Sequence, residues 1–176
     1  MRADGSSKFA EGNRWGYFPS AALAWRASEE PFIKDLNIFS NLKPRVSFGI
    51  TGNQDGIGTY PAYALLGSNG YVAGGDKVTG YYPSQVANTN LKWETTSQFD
   101  AGIDFGFFNN RLSGSVDLYQ RLRKDVIMSK DLMSYHEVKT IDYNSATVYR
   151  SRGIDVGIHS VNFDNKKFGW TTDLNF

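Results

Sequence analysis

Between Leu91 and Tyr119 the chain reads LKWETTSQFDAGIDFGFFNNRLSGSVDLY, with apolar and polar positions alternating on both sides of an Asn109-Asn110 pair. Period two is the signature of a half-buried β-strand. Asparagine tolerates the positive φ of a type I′ turn, so the spacing predicts a hairpin turning at Asn109-Asn110, with opposed residue numbers summing to 219. One face then pairs Phe107 with Leu112, Phe105 with Gly114, Ile103 with Val116 and Ala101 with Leu118. The other pairs Gly106 with Ser113, Asp104 with Ser115, Gly102 with Asp117, Asp100 with Tyr119 and Gln98 with Arg121. A slip of one residue would mix the two sets, so the register is strongly specified.

The length of these strands bears on what the apolar face meets. Strands of soluble proteins average about 5–6 residues. Here alternation runs from Trp93 to Phe107 and again from Leu112 to about Met128. A strand crossing a bilayer at about 45° tilt needs roughly 9–11 residues. An apolar band toward lipid with a polar lumen behind it describes an outer-membrane barrel. A large soluble sandwich with one wet face is the competing architecture, and the alternation alone leaves both open.

The same alternation predicts four further strands. Tyr17 to Arg26 places Tyr17, Ala21, Leu23 and Trp25 on one face, with Pro19 marking an edge, a bulge or the rim. Leu42 to Thr51 opposes Leu42, Val46, Phe48 and Ile50 to Lys43, Arg45, Ser47 and Thr51. The last pair is Gly153 to Asn162 and Lys167 to Phe176. A three-residue turn at Asp164-Asn165-Lys166 keeps its faces sorted, with Ile158 opposite Thr172, Val156 opposite Leu174 and Ile154 opposite Phe176.

Connections alternate between short and long. Ala27 to Asn41 is expected to hold one helical turn opened by Ser28, with Glu29 and Glu30 at its positive end. Gly52 to Asn90 reads as an unstructured loop of roughly forty residues, unusual in a compact domain but normal on the outer face of a membrane barrel. A second long connection, Ser129 to Arg150, has room for a short strand extension. The result is an all-β, antiparallel up-and-down meander of about six long strands. Known bacterial barrels start at about eight, so the sheet is expected to be part of a larger barrel.

Composition narrows the partners. Nineteen Lys and Arg stand against eighteen Asp and Glu, leaving no net field toward nucleic acid. No apolar run is long enough for a transmembrane helix, which an alternating barrel does not need. Cysteine is absent, excluding disulfides, thiolate metal sites and thiol nucleophiles. The opening MRADGSSKFAEGNRWG has no apolar signal core, so an outer-membrane assignment expects the signal upstream.

Four blocks, WGYFPSAALAWRASEE, LKPRVSFGITGNQDGIGTYPAY, the Leu91–Tyr119 segment and SRGIDVGI, resemble the C-terminal barrel of SusC/RagA-type TonB-dependent outer-membrane transporters. The resemblance covers nearly the whole chain. It implies that residues 1–176 are a partial TonB-dependent receptor β-barrel domain. The signal peptide, plug and final strands of the 22-stranded barrel would lie outside it. It further implies import of oligosaccharides, glycan fragments or peptides across the cell outer membrane. The expected partners are the TonB complex, reached through the parts outside this chain, and a SusD-like surface lipoprotein. The alternatives are a soluble β-sheet carbohydrate-binding protein and a passive porin-like channel.

No enzyme, cofactor or metal site is expected. The two histidines, His136 and His159, lack metal-ligand spacing. Asp100, Asp104 and Asp117 share one face and are expected to line the lumen rather than form a catalytic pair. Gly-rich segments such as GNQDGIG lack the context of a phosphate loop. In the long loop, Tyr60, Tyr63, Tyr71, Tyr81 and Tyr82 stand among Gly, Asn, Asp and Gln. Aromatic faces stack on sugar C–H surfaces and amides bond hydroxyls, so these tyrosines are ligand-contact candidates, against the alternative of local packing. Trp25, Trp93 and Trp170 fall near strand ends, as interface girdle residues or as core.

Overall fold

A computed structural model describes residues 1–132, 138–165 and 167–176. In chain order the strands are β1 (Arg2–Gly5), β2 (Trp15–Phe18), β3 (Ser20–Ala24), β4 (Phe39–Asn53), β5 (Leu65–Ala73), β6 (Asp76–Gln85), β7 (Glu94–Phe107), β8 (Leu112–Lys124), β9 (Ile127–Asp131), β10 (Thr140–Asn144), β11 (Tyr149–Asn165) and β12 (Phe168–Asn175). A 3₁₀ turn at Ala27–Glu29 and one helical turn at Pro31–Lys34 lie between β3 and β4. Six strands form one sheet in the order β12-β11-β8-β7-β4-β3, which is the predicted meander. β4, β7, β8 and β11 run for 15, 14, 13 and 17 residues, each longer than a bilayer crossing requires.

The chain divides into two compact units. The first comprises Ser20–Ile50, Ser97–Leu122 and Arg150–Phe176. Its β7–β8 turn is centred as predicted, with Arg111 N–H donating to Phe108 O at 3.2 Å and Asn109 and Asn110 at φ of 56° and 61°. Phe108 is left-handed as well, at φ 53°, so the connection between Phe107 and Leu112 takes four residues rather than two. The positive φ of both central residues gives the type I′ twist that matches the flanking strands. Burial in this unit is inverted relative to a water-soluble sheet. Leu23, Phe48, Phe99, Leu118 and Ile154 are exposed, Leu23 at 70% and Ile154 at 62%. The side chains of Asp104 and Asp117, on the opposite face, are only 28% and 25% exposed. Water would penalise a large continuous apolar face, whereas a hydrocarbon solvent would not. Aromatic rings gather at the short-turn end, where Phe39 meets Phe107 at 5.1 Å, Trp25 meets Phe32 at 6.5 Å and Phe163 stacks on Trp170 at 6.2 Å.

Three predicted details differ in the structure. The last hairpin pairs Ile158 with Leu174 and Ser160 with Thr172, not Ile158 with Thr172. A bulge between Val161 and Phe163 inserts the extra residue that a three-residue turn was expected to supply, so the pairing closes at Asn165 opposite Phe168. Both registers preserve the parity of the faces, and Val156 exchanges backbone bonds with Phe176. The first strand is interrupted: Pro19, which has no N–H to donate, separates β2 from β3. Ser28 does not open a helical turn: it lies inside the 3₁₀ turn Ala27–Glu29, and neither that turn nor Pro31–Lys34 has a side-chain cap.

The second unit comprises Met1–Pro19, Thr51–Thr96 and Arg123–Tyr149, and holds nearly all the buried apolar residues. Phe9 and Leu91 are fully buried, and the Trp93 ring packs on Phe9 at 5.3 Å and edge-on to Phe18 at 5.5 Å. Trp93 also donates its indole N–H to Arg14 O at 3.1 Å. It is a core residue, not a girdle residue. The expectation of an unstructured loop from Gly52 to Asn90 is overturned, because β5 and β6 form a hairpin there. Its turn is Gly74-Gly75, at φ of 64° and 94°, a pair that reaches the left-handed region without steric cost. Two more short strand pairs, β1–β2 and β9–β10, complete the unit. The β8 alternation stops at Lys124 rather than Met128, because Asp125 turns the chain at φ 55°. His136 and Lys166 lie outside the described residues.

Replacing Asn109 by Val should cost about 1–2 kcal/mol, because a β-branched residue resists the left-handed region, whereas Asn109→Gly should be nearly neutral. Urea unfolding of the full-length protein refolded in detergent, followed by heat-dependent gel mobility, measures both. Equal midpoints for the two variants would contradict this turn geometry.

Candidate functional site: a charged sheet face and an aromatic loop

The polar face of the six-stranded sheet collects side chains from β4, β7 and β8. Arg45 Nε donates to Asp104 Oδ1 at 3.3 Å, and its terminal nitrogen reaches the Asp117 carboxylate at 2.7 Å. Lys43 Nζ stands 4.0 Å from Asp104. Asp100 accepts from Gln98 Nε2 at 2.8 Å and from Ser47 Oγ at 3.4 Å. One guanidinium thus serves two carboxylates on different strands, using the fork geometry that arginine offers and lysine does not. Gly102 makes the arrangement possible, since a Cβ there would lie 2.0 Å from Asp117 Oδ1 and 3.2 Å from Arg45 Cζ.

Asp100, Asp104 and Asp117 therefore share a face, as their parity predicts, and each has a polar partner. Carboxylates engaged in this way suit a fixed polar lining. Further along the same face His159 Nδ1 lies 2.6 Å from Asp173. Among the described residues no group of three or more His, Cys, Asp or Glu is placed to hold a metal ion.

The loop tyrosines do not form one cluster. Tyr60 and Tyr63 meet edge-to-face with centroids 6.3 Å apart. Tyr71 and Tyr82 share one face of the β5–β6 hairpin, each ring lying over a glycine of the opposite strand, Gly80 and Gly67 respectively. Tyr81 projects from the other face and is 75% exposed. The alternative of local packing thus fits Tyr71 and Tyr82 better than Tyr60, Tyr63 or Tyr81.

Side-chain amides fix the loop backbone around them. Gln85 Nε2 donates to Tyr60 O at 2.6 Å and to Tyr63 O at 3.0 Å. Asn144 takes the place of a strand partner for Lys92, accepting from its N–H at 2.9 Å and donating to its carbonyl at 2.8 Å. Asn88 donates to Asp142 O at 2.8 Å. Glu94, only 5% exposed, accepts from Ile127 N–H at 3.2 Å and pairs with Arg123 at 3.3 Å. None of these four roles was legible in the sequence, because each joins segments distant in the chain. The Gly74-Gly75 pair was the one available signal for the hairpin.

Comparison with known proteins agrees with this architecture. The family model for the β-barrel of TonB-dependent receptor-like proteins matches residues 1–176. The TonB-dependent receptor P3 of Formosa agariphila is 38% identical over 175 residues, which are 99% of this chain and 17% of that protein. The TonB-dependent receptor SusC of Bacteroides thetaiotaomicron is 37% identical over 181 residues, or 99% of this chain and 18% of that protein. A structure of the RagAB peptide transporter superposes with a TM-score of 0.83 at 30% identity, covering 97% of this chain and 18% of its own. The RagAB peptide importer in its closed-closed state gives 0.86 at 31% identity over 98% of this chain. The chain thus spans less than a fifth of the length of these relatives.

Arg45→Met should cost about 1–3 kcal/mol, the scale of hydrogen bonds to charged groups, because it leaves Asp104 and Asp117 without their shared donor. Gly102→Ala should act in the same direction by moving Asp117 off Arg45, and the two losses should not add. Unfolding midpoints of the two single variants and the double variant test the coupling, and strict additivity would show that the glycine and the ion pair are independent.

Proposed function

Because the chain belongs to the TonB-dependent receptor-like β-barrel family, and its relatives include SusC and RagAB, we propose that it forms part of the wall and outer loops of an outer-membrane importer. Residues 1–176 act as a partial barrel domain, resident in the cell outer membrane. The observation that carries this reading is the inverted burial of the sheet, with its apolar face bare and its charged face half-covered. The cargo is a glycan fragment or a peptide, the latter being what the RagAB structures carry in their name. Asp100, Asp104 and Asp117 line the lumen, where a hydrogen-bonded polar wall interacts with solutes without catalysing their conversion. Tyr60, Tyr63, Tyr71, Tyr81 and Tyr82 belong to loops that meet the cargo outside.

Active import needs a plug that moves and a pull from the TonB complex, and both lie in parts beyond this chain. A SusD-like surface lipoprotein completes the outer side as a lid. The chain's own contribution is a rigid sheet and an ordered loop unit. The relatives are receptors and transporters rather than enzymes, consistent with a role that binds and passes solutes unchanged.

The full-length protein should fractionate with the outer membrane and resist extraction by urea and carbonate. Cells carrying it should accumulate labelled cargo, and an uncoupler should abolish the accumulation. Uptake unaffected by the uncoupler would overturn active import in favour of a passive channel. A water-soluble, detergent-free monomer would overturn the membrane assignment altogether.

A further inference from the structure

The turn Tyr60–Tyr63 is built to hold two aromatic rings outward. Its centre, Pro61 and Ala62, is buried, Ala62 to 2% exposure, while the flanking Tyr60 and Tyr63 are 52% and 42% exposed. Tyr63 N–H closes the turn on Tyr60 O at 3.0 Å, and Asn88 N–H donates to Pro61 O at 3.1 Å. The Gln85 amide ties both tyrosine carbonyls together. Tyr60 itself sits at φ 60°, a left-handed conformation that costs a bulky residue energy and persists only where its surroundings impose it. Such strained and over-determined positions concentrate at ligand clamps.

Arg14 supplies the polar half. Its terminal nitrogen donates to the Tyr63 hydroxyl at 3.1 Å, and among the described residues it makes no ion pair. One of its five N–H groups is thereby used, and the remaining fork is open to an incoming anion. Together with Ser7 and Leu65, Arg14 and the two tyrosines line one open pocket.

We propose that this pocket is a subsite for an acidic sugar: a pyranose ring stacked on Tyr60 and Tyr63, with its carboxylate on the Arg14 guanidinium. Aromatic planes complement the C–H faces of a sugar ring, and arginine binds a carboxylate through paired charge-assisted bonds. A peptide added as a strand is a poorer match, because strand addition needs unpaired main-chain groups. The carbonyls of Tyr60, Pro61 and Tyr63 and the N–H of Tyr63 are already engaged. Gln85 is a positioning residue, setting the tyrosines without touching the ligand. The subsite rests on the proposal that the outer loops of this chain meet the cargo.

The test uses the full-length protein in detergent and titration calorimetry. The probes are the trisaccharides of galacturonate, glucuronate and mannuronate, their methyl esters, and tri-glutamate as the peptide arm. At least one acidic trisaccharide should bind, and its methyl ester should bind about tenfold or more weakly, the scale of one charge-assisted pair. Arg14→Gln should remove that preference while leaving the ester's affinity unchanged. Tyr63→Ala should weaken acid and ester alike, and Gln85→Leu should weaken both with the unfolding midpoint of the barrel retained. The subsite is overturned if no acidic trisaccharide binds, if Arg14→Gln keeps the preference for acid over ester, or if tri-glutamate displaces the sugar at equal concentration. Uncoupler-sensitive uptake, measured in parallel, separates the two ideas: import that persists without acid-specific binding removes the subsite alone.

Discussion

A strand that crosses hydrocarbon has no water to bond its backbone, so every N–H and C=O must find a neighbouring strand. The remaining features of the six-stranded sheet follow from that constraint. Strands of 13–17 residues give a ladder long enough to cross a bilayer, and the meander order sets each strand of the sheet beside the next one of that sheet in chain order. Where Pro19 removes a donor, the strand is divided at that point. Between the paired strands the ladder takes up the backbone groups, and the side chains sort by face: Leu23, Phe99, Leu118 and Ile154 lie bare, and the charged residues turn to the other face.

On that second face the charges are held rather than scattered. Arg45 between Asp104 and Asp117 converts three costly ions into one network spanning β4, β7 and β8, and Gly102 leaves the room for it. The network fixes the position of these side chains on the polar face of the sheet. The loop unit solves a different problem with different means. It buries Phe9, Leu91 and Trp93 as a small core, then uses Asn88, Asn144, Gln85 and Glu94 to satisfy backbone groups where no regular ladder reaches. The tyrosines it exposes are thus mounted on an ordered support.

Legibility in the sequence followed the range of the interactions involved. The Asn109-Asn110 turn is local, and its place and the register beyond it were readable from two residues and the flanking alternation, though not the left-handed Phe108 beside them. The Gly74-Gly75 turn is equally local, but it lies in a segment too polar for its strands to stand out from a loop. The bulge at Val161–Phe163 had no local signal. It depends on Arg111, whose carbonyl accepts from Val161 N–H at 2.7 Å and whose guanidinium reaches Val161 O and Asn162 O. An extra residue held by a neighbouring strand cannot be inferred from the strand that carries it. Trp93 was ambiguous for the same reason, since girdle and core tryptophans look alike until their neighbours are known.

The sequence by itself therefore determined the strand periodicity, the sorting of faces, the meander and the shared side of Asp100, Asp104 and Asp117. All of these follow from a period of two and from short turns, which are properties of contiguous residues. Only the tertiary structure decided the bulged register of the last hairpin, the core role of Trp93, the hairpin within the long loop, and the meeting of Arg14 with Tyr63. Each of those depends on groups far apart in the chain competing for one partner, and the winner is set by three-dimensional proximity rather than by local pattern.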